Sequence, residues 1–133
     1  MNESEKIESK NGLIRFYGAI IKVRNMDQSR AFYSQVLRLG EPVLNTNFWV
    51  EFEVVQGQMV IALQQANNIV QRPETDKGDI QCCLAVDDLE GFRQHLSRHE
   101  VETSAIERLA VGKDFFRFRD PEGNPLRAIR CNP

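Results

Sequence analysis

The sequence has little of what usually announces an activity. It holds three cysteines, Cys82, Cys83 and Cys131, and no CxxC pair. That excludes a cysteine zinc cluster and a dithiol redox motif. An odd number of thiols cannot all pair within one chain. Cys82 and Cys83 are adjacent, and neighbours on a strand point to opposite faces, which works against a bridge between them. Reduced core cysteines in a cytoplasmic protein are the expectation. No apolar run approaches the roughly 18 residues needed to cross a bilayer. The first twelve residues, MNESEKIESKNG, are polar and acidic, without the basic start and apolar run of a secretory signal. There is no excess of charge either. Seventeen Lys and Arg against nineteen Asp and Glu leave a net charge of −2, so neither nucleic acid nor an anionic membrane attracts the chain in bulk. P-loop, dinucleotide-binding and serine nucleophile-elbow motifs are all missing.

What is present is the composition of a folded domain. The chain has 133 residues, 41% hydrophobic and 27% charged. That suits one compact domain, or two small modules sharing a core. Residues 1–12 read as a flexible tail. Residues 17–23 read as a strand, followed by Asn25 and Asp27 as helix caps. Phe32, Val36 and Leu39 lie at i, i+4 and i+7, one buried helical stripe, and Gly40 and Pro42 end it. Residues 48–55 alternate strictly: Phe48, Val50, Phe52 and Val54 on a core face, Trp49, Glu51, Glu53 and Val55 on the other. Residues 59–64 are a further strand, and residues 65–79 a polar connector containing Pro73 and Gly78.

The pattern then restarts. Residues 80–86 read as a strand, Asp88 as a cap, and Leu89, Phe92 and Leu96 as a helical stripe. A short strand begins at residues 101–103, another covers 114–119, and the last runs over 125–131 after the turn Asp120-Pro121-Glu122-Gly123-Asn124. Phe32 and Phe92 are 60 residues apart, Val23 and Val86 63. A repeat of this length in β-α-β-β-β order implies two similar modules, residues 13–64 and 80–133. Each sheet is covered by its helix on one side, so the two uncovered faces are expected to meet or curl around something, which builds a cleft between the sheets, a natural small-molecule site.

Three segments carry a family likeness. They are Val23-Arg24-Asn25-Met26-Asp27-Gln28-Ser29-Arg30-Ala31-Phe32-Tyr33 leading to Leu39-Gly40, then Leu84-Ala85-Val86-Asp87-Asp88-Leu89, then Phe118-Arg119-Asp120-Pro121-Glu122-Gly123-Asn124-Pro125-Leu126. In these the sequence resembles the vicinal oxygen chelate superfamily, which includes glyoxalase I, the bleomycin-resistance proteins and the extradiol dioxygenases. The resemblance implies an α+β fold of two βαβββ modules forming an open barrel-like cleft, often in a homodimer. Catalytic members hold a divalent metal through side chains on the concave faces. Those positions fall here on Gly18, Ala62, Gln81 and Arg127. Glycine and alanine offer no donor atom, and a guanidinium repels a cation. One neutral oxygen from Gln81 does not hold Zn²⁺, Ni²⁺ or Fe²⁺. No metal and no cofactor is therefore expected.

Strand alternation supplies the candidate lining. Lys22, Trp49, Glu51 and Glu53 face the cleft from the first module, with Gln81, Arg117, Arg119 and Arg127 from the second. Two readings of these charges stand side by side. In one, Glu51 and Glu53 pair with the arginines near a solvated rim. In the other, Arg127 stands in for the metal as a fixed positive group gripping an anionic oxygen, and Trp49 forms an apolar wall for an aromatic or planar ligand. His95 and His99, at i, i+4, read as a solvated pair with His95 toward the outer face of its helix. The functional expectation is a small organic, anionic or aromatic ligand bound without metal. The alternatives are a lyase, isomerase or dioxygenase whose metal uses unusual ligands such as Glu51 or Glu53, and a non-catalytic structural dimer.

Overall fold

A computed structural model describes residues 17–67 and 81–131. The N-terminal tail and most of the connector read from the sequence lie outside the described residues. The first half runs β1 (Gly18–Val23), α1 (Met26–Ala31) continuing as a π-helical segment (Phe32–Val36), β2 (Leu44–Asn45), β3 (Trp49–Val55) and β4 (Met59–Gln65). The second runs β5 (Cys82–Val86), α2 (Leu89–Arg98), β6 (Glu107–Arg108), β7 (Asp114–Arg119) and β8 (Pro125–Arg130). Each half forms one four-stranded sheet, ordered β1-β4-β3-β2 and β5-β8-β7-β6. The first strand of each half lies parallel to the last, and the remaining pairs are antiparallel. The duplicated β-α-β-β-β order read from the sequence is thus the architecture.

Both helices start where a short polar side chain can satisfy a free backbone N–H. Asn25 Oδ1 accepts from Gln28 N at 3.1 Å, and Asp88 Oδ1 from Gly91 N at 3.0 Å. Alternation buries Val50 and Phe52 of β3 and Phe116 and Phe118 of β7 on the helix side of their sheets. One apolar cluster draws Val23, Tyr33, Phe52 and Leu63 from the first half and Leu89, Leu96, Phe116 and Leu126 from the second. The halves therefore share a core on their helix-covered sides. Polar links reinforce it. The Tyr33 hydroxyl donates to Asp120 Oδ2 at 2.7 Å, Asn25 N donates to Glu122 Oε2 at 2.6 Å, and Asn124 Nδ2 donates to the Lys22 carbonyl at 3.3 Å.

Five expectations change. The cysteines read as core residues are not buried: Cys83 and Cys131 are exposed and Cys82 is half-buried, because β5 puts Cys83 on the open face of its sheet and Cys131 follows the end of β8. The stripe Phe32, Val36, Leu39 assumed an unbroken α-helix. The i→i+5 bond from Leu37 N to Phe32 O (3.0 Å) inserts a residue, so Phe32, Tyr33 and Leu37 are the buried positions. Phe48 precedes β3, belongs to no strand and is 70% exposed. Thr103 makes only an isolated bridge to Phe118, and the edge strand is Glu107–Arg108. His95 is buried, not solvated, at 7% exposure. Its Nε2 lies 2.7 Å from the Val36 carbonyl and its Nδ1 2.9 Å from Arg38 Nη2. A carbonyl only accepts and a guanidinium only donates, so Nε2 carries the proton and Nδ1 accepts. Helix α2 thus packs on its own sheet through Leu89, Phe92 and Leu96, and on the other half through His95.

Candidate functional site

Within one chain the two uncovered sheet faces do not meet to form the cleft expected from the sequence: the shared core occupies the helix sides, so each sheet turns its other, concave face outward. On the first half, β-pairing sets Ile20, Ala62 and Glu51 in one row and Lys22, Gln64 and Trp49 in the next. Ile20 is 54% exposed and Lys22 is exposed. Glu51 Oε2 accepts from the Tyr17 hydroxyl and from Trp49 Nε1, both at 2.8 Å, which ties the indole to its neighbour two residues along β3. Glu53 Oε2 accepts from Gly57 N at 2.6 Å in the β3–β4 turn. Among the described residues neither glutamate pairs with an arginine, so the expected pairing of Glu51 and Glu53 with Arg117, Arg119 or Arg127 is not found.

On the second half, Cys83, Arg127 and Arg117 form one row, and Ala85, Ile129 and Phe115 the next. A depression of about 360 Å³ opens there, lined by Gln81, Cys83, Leu109, Phe115, Arg127 and Ile129. The Arg127 guanidinium lies over the Phe115 ring, 4.7 Å from its centroid. Its Nε is buried without an acceptor, and among the described residues no carboxylate pairs with it. The other arginines of this face are engaged. Arg117 Nη2 is 2.8 Å from Glu107 Oε2, an ion pair aligned too poorly for a hydrogen bond. Arg119 Nη1 donates to the Gly123 carbonyl at 2.7 Å.

The thiols beside it are not activated. Burial pushes Cys83 above the ordinary thiol range, and the nearby Arg127 charge offsets only part of that. Burial raises Cys82 as well, with the Cys83 thiol adding to the effect. A second depression, about 440 Å³, lies beside the start of α1. Both of its arginines are engaged: Arg30 reaches Asp27, Asn45 and the Thr46 carbonyl, and Arg24 Nε lies 3.7 Å from Glu122 Oε1.

The structure thus brings Gln81 and Arg127 together in one hollow, with Arg117 and Arg119 on the same sheet face. It places Lys22, Trp49, Glu51 and Glu53 on the other half. Phe115 was legible from alternation with Arg117 and Arg119. Leu109 comes from the loop between β6 and β7 and had no periodic signal.

The chain was then compared with known proteins. A family model described as the Glyoxalase/Bleomycin resistance protein/Dioxygenase superfamily matches residues 16–127. The chain belongs to this superfamily. No curated protein sequence matches it. Among solved structures, an integron cassette protein from the mobile metagenome of the Halifax Harbour sewage outfall is 20% identical, with a TM-score of 0.73 over 89% of this chain and 100% of that one. Lactoylglutathione lyase from Agrobacterium tumefaciens is 22% identical, with a TM-score of 0.67 over 86% and 92%. A glyoxylase/bleomycin resistance protein/dioxygenase domain from Frankia sp. EAN1pec is 18% identical, with a TM-score of 0.71 over 91% and 94%. At these identities the likeness is one of fold.

The positions at which the superfamily's catalytic members carry metal ligands do not fit a cation here. Gly18 has φ +140°, and a Cβ built on it would sit 1.7 Å from the Val60 carbonyl oxygen, so this backbone admits no side chain there. Ala62 is fully buried between Ile20 and Glu51 and has no donor. Arg127 brings a positive charge to a third position. Among the described residues no three His, Cys, Asp or Glu side chains are grouped as a metal site.

Proposed function

We propose that this superfamily member binds a small organic anion on the concave face of its second module, the Arg127 guanidinium taking the place of the divalent metal. The observation that carries the reading is Arg127 itself: a partly desolvated cation on the floor of a hollow, with a buried Nε lacking any acceptor. A charge in that condition is costly until something compensates it. A bound anion supplies the compensation through charge-assisted, two-pronged hydrogen bonds. The metal-dependent alternative finds less support, because Glu51 and Glu53 already accept hydrogen bonds within their own module.

Calorimetric titration with small carboxylates is expected to give saturable binding. Arg127→Gln is expected to weaken it roughly tenfold or more, the worth of a charge-assisted contact. Unchanged affinity in that variant would remove Arg127 from the site. Elemental analysis of protein purified without chelator should find far less than one equivalent of Zn, Ni, Mn or Fe. A tightly held equivalent would overturn the metal-free reading.

A second copy of the chain is the proposed cover of the site. The concave face of the first module carries Glu51 and Glu53 beside exposed Ile20, and that of the second carries Arg117, Arg119 and Arg127. Opposite charge on two open faces suits an isologous dimer in which the first module of one copy lies over the second module of the other.

A further inference from the structure

We infer that the ligand of the Arg127 hollow is a small, singly charged carboxylate with a hydrocarbon body, rather than a phosphate or a dicarboxylate. The inference rests on the reading of Arg127 as the anion site and specifies what that site selects. Among the residues that line the hollow Arg127 is the one cation, and Arg117 beside it on the sheet is paired with Glu107. A dianion placed there would leave its second charge against Phe115, Ile129 and Leu109, none of which can solvate it. A phosphate also needs donors on several sides, and the guanidinium already gives one flat face to the Phe115 ring. What remains open to a ligand is the edge of a planar fork, the shape that matches a carboxylate. Leu109, Phe115 and Ile129 then surround whatever the carboxylate is attached to, and burying hydrocarbon there is favourable. At about 360 Å³ the hollow is at the small end of ligand sites, which run from roughly 300 to 1,000 Å³. Gln81 on the rim offers a neutral amide for one polar substituent. The Cys83 thiol, with its ordinary value of about 8.5 shifted up rather than down, adds no competing charge.

The test is a calorimetric comparison, on the full chain, of benzoate and cyclohexanecarboxylate with benzamide, succinate and inorganic phosphate. The two monocarboxylates are expected to bind at least about tenfold more tightly than the other three probes, a difference of about 1.4 kcal/mol. Leu109→Ser alters a half-exposed loop residue outside the core cluster, so the fold should survive it. It is expected to weaken benzoate severalfold while leaving acetate unchanged. Arg127→Gln is expected to abolish the preference for benzoate over benzamide. Phosphate or succinate binding as well as benzoate, with Arg127→Gln weakening all of them, would overturn the monocarboxylate inference while leaving the anion site standing. Benzamide equal to benzoate, or no binding by any probe, would overturn both.

Discussion

At the scale of single residues, the bond with the largest structural consequence joins Tyr33 to Asp120. Both are buried, and Asp120 is the first residue of the turn between β7 and β8. Asp120 Oδ1 accepts from Glu122 N and Asn124 N, both at 2.9 Å, and Oδ2 from Asn124 Nδ2 and the Tyr33 hydroxyl. One carboxylate thus shapes its own turn and anchors it to the other module. Tyr33→Phe removes a donor from a buried charged acceptor and is expected to cost about 1–3 kcal/mol in urea denaturation. Burial, then the charge and hydrogen bond of Asp120, hold the Tyr33 hydroxyl well above the ordinary tyrosine value. Its folded value is raised, so its contribution is full below the unfolded value of about 10 and is lost as pH climbs from there toward the folded one. In a Tyr17→Phe background, tyrosinate absorbance should therefore rise only together with alkaline unfolding. A rise in a still-folded protein would contradict the burial. The sequence showed Tyr33 in a helix and Asp120 in a turn, but a contact spanning 87 positions leaves no mark on local pattern.

Among the elements, the pairing of β1 with β4 depends on one residue having no side chain. Gly18 stands opposite Val60, with φ +140° and the Val60 carbonyl where a Cβ would be. Gly18→Ala must push the strands apart or distort the backbone. It is expected to lower stability by about 3 kcal/mol, measured by thermal and urea unfolding. An alanine variant of unchanged stability would mean that β1 sits differently on the sheet. The strands of both sheets were legible because period two separates Val50 and Phe52 from Glu51 and Glu53, and Phe116 and Phe118 from Arg117 and Arg119. The π-helical segment was not, because the pattern Phe32, Val36, Leu39 fits an α-helix equally well. Only packing decides that Tyr33 goes inside. The two-residue edge strands β2 and β6 are too short to carry any periodicity.

For the whole molecule, the repeat predicted the paired sheets, and strand alternation put Gln81 and Arg127 on one face, where both line the hollow, but it grouped them with Lys22, Trp49, Glu51 and Glu53, which lie on the other half. Composition could not tell which charges would find partners. Glu51 chose Tyr17 and Trp49, and Glu53 a turn amide, over any arginine. The proposed dimer makes its own prediction. Sedimentation velocity should give twice the chain mass of 15.3 kDa at low ionic strength. Added salt, or Glu53→Lys alone, should shift the population toward monomer, because the attraction between exposed charges is screened or reversed. A monomer at every salt and protein concentration would set the dimer aside.

The outward turn of the concave faces has a consequence for how such a chain changes over time. The cluster that folds the protein lies behind the sheets, and Arg127, Gln81 and Leu109 are not members of it. Substitutions in the hollow can rewrite what is recognised there while the scaffold keeps its stability.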